Sequence, residues 1–294
     1  MRILKIEWPS NKKFAICLSH DVDRVYKTWW QSAYYFMKTR DIYHLKTVFG
    51  KDENPYWNFE KIMLIEGRYN VHSTFFFLNE SKKLNPLNPS SYKLALGRYD
   101  MNSPEIIELI RELDKNGWEI GVHGSYDSYT NPKLLEKEKE TLERIVGHRI
   151  VGIRQHYLNL KIPETWKYQY EVGFKYDASF GYRRDIGYRD NRLLPFRPFE
   201  DKDFWVVPLT IMDAALFHKY PNVSDARNAV EKILSFAEKN GALVSVLWHQ
   251  RVFNEKEFPG WSKVYEKIIR EGIQKGAWIG TCKEVWNIVS KVGG

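Results

Sequence analysis

Short apolar, β-rich runs alternate with longer segments of helical period along most of this chain, and few folds accommodate that alternation. The strand candidates are Phe14–Ser19, Ser73–Leu78, Glu119–His123, Ile150–Arg154, Lys175–Ser179, Trp205–Ile211 and Leu243–Trp248, with Trp278–Thr281 as a short eighth. Between them lie helix-like stretches at Lys27–Lys38, Asn58–Tyr69, Pro104–Asn116, Pro132–Val146, Pro163–Val172, Ser224–Asn240 and Val264–Lys275. Ser103 before Pro104 reads as an N-cap with proline at the first helical position, and Asn116-Gly117 and Asn240-Gly241 read as helix ends. Parallel strands joined by helical crossovers follow. Seven or eight such units in 294 residues fit an α/β fold closed into a distorted (β/α)7-type barrel better than an open doubly wound sheet. No linker or internal repeat divides the chain, so residues 1–294 read as one catalytic domain with its core at about 14–285. Lys82–Met101 and Gly181–Asp203 read as long loops over a site.

Composition removes several alternatives. With 43% hydrophobic and 15% aromatic residues the chain can fill a core. Cys17 and Cys282 lie far apart in sequence in apolar contexts, which excludes a disulfide scaffold and a cysteine-rich zinc site. Residues 1–13 lack the continuous apolar core of a secretory signal, and no stretch approaches the roughly eighteen apolar residues of a membrane span. A cytoplasmic protein with no membrane span is the expectation. The net charge of +8 is partly local, since Arg183, Arg184, Arg189, Arg192 and Arg197 fall in one segment. Without an accompanying nucleic-acid motif, that segment reads as a solvated loop and no nucleic-acid partner is expected.

In folds of this kind the chemistry sits where strands end. The first strand candidate runs into Ser19-His20-Asp21-Val22-Asp23, the third into His123-Gly124-Ser125-Tyr126-Asp127 and the fourth into Arg154-Gln155-His156-Tyr157. The fifth ends near Asp177 and the seventh at His249. Asp21 and Asp23 would repel if left alone; a divalent cation removes that cost, so one can bind metal while the other stays free as a base. His123 and Asp127, four residues apart after a strand, can face one ion, and imidazole with carboxylate suits zinc, iron, cobalt, nickel or manganese.

Taken in order, Ser19–Asp23, Ser73-Thr74-Phe75-Phe76-Phe77, Glu119–His123, Arg154–Tyr157, Tyr176-Asp177 and Leu247-Trp248-His249 resemble the motifs of the polysaccharide deacetylases, carbohydrate esterase family four. The resemblance implies a metal-dependent hydrolase that removes acetyl groups from N- or O-acetylated sugars of a glycan. It implies Asp21 as general base oriented by Arg154, Asp23 and His123 as metal ligands, and His249 as general acid held by Asp177. It also implies Leu247 as a wall of the acetyl pocket and the Tyr157 N–H as an oxyanion donor. One divalent ion, zinc first among several, is the implied cofactor.

Two positions depart from the family's usual pattern. Asp127 stands where a second histidine is usual, and a carboxylate there changes the site's charge by a full unit. His156 replaces a proline, and reads as a wall residue or an extra ligand. Asp213 either reaches the rim or caps a helix. Among the aromatics, Trp29, Trp30, Tyr34, Tyr126, Tyr182, Tyr188, Trp248 and Trp261 are candidates to stack on sugar rings. Two other functions fit the same residues: a catalytically silent glycan-binding relative in which Asp127 marks a lost metal site, or an amidase acting on small non-sugar amides. Sugar identity and oligomeric state are not legible.

Overall fold

A computed structural model of the chain describes residues 6–48, 54–82, 87, 94–95 and 97–292. Nine strands are present among them: β1 (Phe14–Val22), β2 (Thr74–Leu78), β3 (Glu119–Gly124), β4 (Gly152–Gln155), β5 (Tyr176–Asp177), β6 (Trp205–Val206), β7 (Ile211–Met212), β8 (Leu243–Leu247) and β9 (Ala277–Gly280). The described helices are α1 (Trp29–Thr39), α2 (Ile42–Val48), α3 (Phe59–Arg68), α4 (Pro104–Lys115), α5 (Pro132–Val146), α6 (Glu164–Glu171), α7 (Asp213–Lys219), α8 (Val223–Asn240), α9 (Trp261–Gln274) and α10 (Cys282–Val292). The loop expected at Lys82–Met101 lies mostly outside the described residues.

All strand pairings in the sheet are parallel, in the order β6-β5-β4-β3-β2-β1-β8-β7, with β9 beside the first half of β1. The expected strand Trp205–Ile211 divides around Pro208, which has no N–H to donate to a ladder. Its middle nevertheless bridges the gap: Val207 N–H donates to the Asp177 carbonyl on one side, and Thr210 N–H to the Ser245 carbonyl on the other. The result is the distorted (β/α)7-type barrel, with β6 and β7 as two halves of one interrupted strand.

The central strands are buried on both faces, and therefore read as continuous apolar runs rather than alternating ones. One core lies between sheet and helices, where Phe75, Phe77, Val122, Ile153 and Val246 meet α3, α4, α5 and α9. A second fills the barrel: Ala15, Cys17, Phe76, Tyr176, Trp205 and Leu243, closed from below by Val285 and Val289 of α10. Truncating Phe75 or Phe76, both fully buried, would cost about 3–5 kcal/mol. Gly121 leaves room for the Phe76 ring, which a Cβ there would meet at 2.5 Å.

Local signals explain most boundaries. Asn131 caps α5 by accepting from the Leu134 N–H, Pro132 opens it, and Gly147 closes it with φ 82°. Thr28 and Gln31 form a capping box on α1. Ser103 has the extended backbone of an N-cap before Pro104, but its hydroxyl makes no capping bond. Helices α2, α7 and α10 go beyond the sequence reading. The first two have only seven residues each, and the third carries a 3–4 spacing of buried Cys282, Val285 and Val289. Cys17 and Cys282, distant in sequence, meet inside the barrel with sulfurs 2.9 Å apart.

Candidate active site

Strand parity decides which side chains enter the barrel, because alternate residues face opposite sides. Ser19 and Asp21 of β1 and Asp23 just beyond it share the inner face, and the parallel registers Ser19↔Leu247 and His123↔Arg154 put Leu247, His123 and Arg154 on it too. These residues converge at the carboxyl ends of the strands, around a cavity of about 290 Å³. Asp21, Asp23, His123, His156, Tyr157, Leu247 and His249 all line it.

Arg154 crosses the barrel interior fully buried. Its Nη1 donates to Asp21 Oδ1 at 2.9 Å and to Ser19 Oγ at 2.8 Å, its Nε donates to the Ala178 carbonyl at 2.9 Å, and its guanidinium lies over the Phe76 ring at 4.5 Å. One oxygen of Asp21 is thereby fixed. The other, Oδ2, faces His123 Nε2 at 3.7 Å.

Asp23 is the hub. His123 Nε2 stands 3.2 Å from its Oδ1, His156 Nε2 3.5 Å from the same oxygen, and His249 Nε2 3.6 Å from its Oδ2. Burial opposes ionisation of Asp23, yet the His123 hydrogen bond and the fields of three imidazoles hold its carboxyl well below the usual range. His123 Nδ1 meets the Arg154 carbonyl at 2.8 Å, so that nitrogen carries the proton and Nε2 is the one turned toward Asp23. Burial would lower the His123 pKa, but Asp21 and Asp23 raise it above the ordinary imidazole value.

Asp23, His123 and His156 together offer a carboxylate oxygen and two imidazole nitrogens, all within 4.8 Å of one another. The donor set fits a divalent ion of zinc-like character, with a cation replacing the proton that the two aspartates draw onto His123. His156 comes from the turn after β4, where Tyr157 and Leu158 both adopt positive φ, 57° and 53°.

His249 follows β8 and is oriented by Asp213, the first residue of α7. Asp213 Oδ1 lies 2.8 Å from His249 Nδ1, and Oδ2 accepts the His249 backbone N–H at 2.7 Å. Burial would lower the His249 pKa, but the field and hydrogen bond of Asp213, helped by Asp23 and Asp21, raise it to about 9.

Several expected residues are not brought into this group. Asp127 lies at the exposed rim with its Oδ2 2.7 Å from Lys82 Nζ, outside the Asp23–His123–His156 set. Asp177 does not approach His249; its register partner Ile153 faces the helices, and its carboxylate accepts from Trp166 Nε1, Gln169 Nε2 and Ser179. Asp213 takes the place beside His249 that the resemblance implies for Asp177. Trp248, next to Leu247, faces the opposite way and is fully buried against Phe217 and Tyr265. None of Trp29, Trp30, Tyr34, Tyr126, Tyr182, Tyr188 and Trp261 lines the cavity, whose aromatic face is Tyr157. The arginine segment is also more built than a solvated loop. Arg189 lies over Phe180, Arg192 over Phe196, and Arg183 lines the cavity with Arg24, Arg98 and Arg251, three residues the sequence reading passed over.

No protein-family model matches the chain, and no curated protein matches it. Solved structures do. A putative polysaccharide deacetylase from Mycobacterium smegmatis superposes with a TM-score of 0.65 at 18% identity, over 97% of this chain and 93% of that one. Puue allantoinase gives 0.64 at 15% identity, over 96% and 92%. BA3943, a CE4 family pseudoenzyme from Bacillus anthracis, gives 0.51 at 12% identity, over 94% and 66%. The chain thus has the fold found in polysaccharide deacetylases, as its motifs imply. That fold carries a deacetylase, an allantoinase and a pseudoenzyme, so function rests on the site.

Proposed function

We propose that the chain belongs to carbohydrate esterase family four and is a metal-dependent hydrolase that removes acetyl groups from an N- or O-acetylated sugar. The observation that carries this reading is the convergence of three imidazoles from separate strand ends on Asp23, beside a second carboxylate held by Arg154. A silent relative has no need of so unspent a set of groups facing one cavity.

Asp23, His123 and His156 would hold the ion, zinc in first place, with cobalt, nickel, manganese and iron as competitors. Bound there, it would supply Lewis acidity, lowering the pKa of a water from about 15.7 toward roughly 7 and polarising the acetyl carbonyl. Asp21, with Oδ1 pinned by Arg154, keeps Oδ2 toward the cavity to accept the proton of the attacking water. His249, protonated at neutral pH and held by Asp213, donates from Nε2 to the leaving nitrogen or oxygen as the bond to the acetyl carbon breaks. Leu247, Leu158 and Met212 form the apolar wall on which an acetyl methyl packs, and the Tyr157 N–H is the candidate donor to the oxyanion.

The test is acetate release from acetylated amino sugars and O-acetyl sugars by the metal-loaded protein, with Asp21→Asn as control. Acetate from sugars, lost in the variant, is expected. Hydrolysis of short non-sugar amides alone would make the protein an amidase, and no hydrolysis with no bound ion would make it a silent relative.

A further inference from the structure

The walls of the cavity are rich in guanidinium groups. Asp21 is committed to Arg154, and Asp23 to its three imidazoles. Four further guanidinium groups, Arg24, Arg98, Arg183 and Arg251, line the same space. Arg98 donates to the Glu80 and Ala95 carbonyls, and Arg183 to the Asn159 side-chain oxygen and the Leu158 carbonyl. These acceptors are neutral, and among the described residues neither side chain is in an ion pair.

Arg251 is the sharpest case. Its Nε is buried without a hydrogen-bond partner, and among the described residues its side chain has no ion pair. Burial opposes its charge and the fields of Tyr56, Asp23 and Asp213 favour it, yet none of these groups pairs with it, and a buried donor left without a partner is costly unless a ligand completes it. Position adds to the argument: Arg24 follows Asp23 directly, and Arg251 stands two residues after His249 on the turn Gln250–Phe253. Arg24, Arg251 and Tyr157 line one cavity with the reacting groups.

Resting on the deacetylase reading, we infer that the substrate is an acidic acetylated sugar, whose anionic substituent, a carboxylate or a phosphate ester close to the acetyl group, is bound by Arg251 with Arg24. A neutral acetylated sugar would offer the Arg251 Nε no charged acceptor.

The experiment compares three probes with the metal-loaded full chain: N-acetylmuramic acid for a carboxylate, N-acetylglucosamine 6-phosphate for a phosphate ester, and N-acetylglucosamine for neither. The expected result is that kcat/KM for one anionic probe exceeds that for the neutral sugar, and that Arg251→Met lowers this ratio about 100-fold, mainly through KM. Whichever anionic probe is preferred identifies the group. Arg24→Gln serves as the second variant, with the same direction of effect. Equal kcat/KM for all three probes, or an unchanged ratio in both variants, would overturn the inference while leaving the deacetylase reading intact. Absence of acetate from every probe counts against that reading instead. In that event calorimetric binding of the same probes to the metal-loaded protein decides the anion site: tighter binding of an anionic probe, lost in Arg251→Met, supports it, and equal binding refutes it.

Discussion

His20 and His249 each face a carboxylate from a helix, Glu66 in α3 and Asp213 in α7, and each is a chain neighbour of a cavity residue or of a strand that ends in one. His20 uses both ring nitrogens: Nδ1 meets the Trp248 carbonyl at 2.5 Å, and Nε2 meets Glu66 at 3.0 Å and the Tyr265 hydroxyl at 3.2 Å. Glu66 in turn accepts from Tyr265 OH and from Trp118 Nε1, at 2.6 and 2.7 Å. His249 is held on one side only. Its Nδ1 is on Asp213, while Nε2 opens on the cavity toward Asp23. The two pairs have the same chemistry by composition, and differ in whether any valence is left to meet a substrate. A closed network stiffens the core; a half-open one can transfer a proton.

The largest effect should fall on the open side. Asp21→Asn and His249→Ala are each expected to lower turnover by about 10² to 10⁴ while thermal unfolding shows the fold retained. Full activity in either variant would mean that the unspent valences are not used. Next come the proposed metal ligands. Asp23→Ala and His123→Ala should lose the metal on analysis of purified protein, and His156→Ala should hold it more weakly, whereas Glu66→Gln should keep it. An ion retained by both Asp23→Ala and His123→Ala ends the ligand assignment.

Asp213→Asn sharpens the comparison further, because it removes the charge but not the shape of the His249 partner. The folded pKa of about 9 lies above the free imidazole value of 6.5, so the pair's contribution to stability is fully present below about 6.5 and is lost as pH rises through 9. The protonated form that the proposed general-acid role requires occupies the same window. Replacing Asp213 should therefore move the alkaline limb of the kcat profile downward and cost about tenfold at neutral pH, measured across pH 6–10. Asp177→Asn, tested beside it, should leave that limb where it is. Glu66→Gln belongs with the closed network: about 1–3 kcal/mol of stability lost in urea unfolding, with the activity of the folded fraction kept.

Much of this difference was present in the sequence as parity and was not read as such. Ser19 and Asp21 face the barrel interior, where Arg154 meets both, so His20 between them points out, and Leu247 pointing in turns Trp248 outward by the same rule. The order of acids, imidazoles and guanidinium at successive strand ends was legible because it needs only periodicity. The carboxylate partner of His249 was not. β5 is two residues long, too short to show on which side Asp177 lies, and α7 is a seven-residue helix following β7 without a loop. The choice between Asp127 and His156 likewise depended on turn geometry: the backbone after β4 takes two consecutive left-handed residues, which residue types Tyr157 and Leu158 do not announce. Arg24 and Arg251 escaped notice because an isolated arginine on a turn gives no pattern to read.

Asp127 supplies the smallest expected effect and a strict check on the site's location. It sits at the rim, half exposed, paired with Lys82, whose ammonium also lies 5.3 Å from the Tyr126 ring. Such a pair in water contributes at most about 1 kcal/mol. Asp127→Ala should therefore shift the urea midpoint only slightly, less at high salt, and should keep the ion at full stoichiometry, because His156 already stands beside Asp23 and His123. Asp127→His, which would restore the histidine usual at that place in the motif, should likewise leave metal content unchanged. If Asp127→Ala instead lost the ion, the turn after β3 would have to carry Asp127 away from Lys82 into the cavity, and His156 would revert to a wall residue.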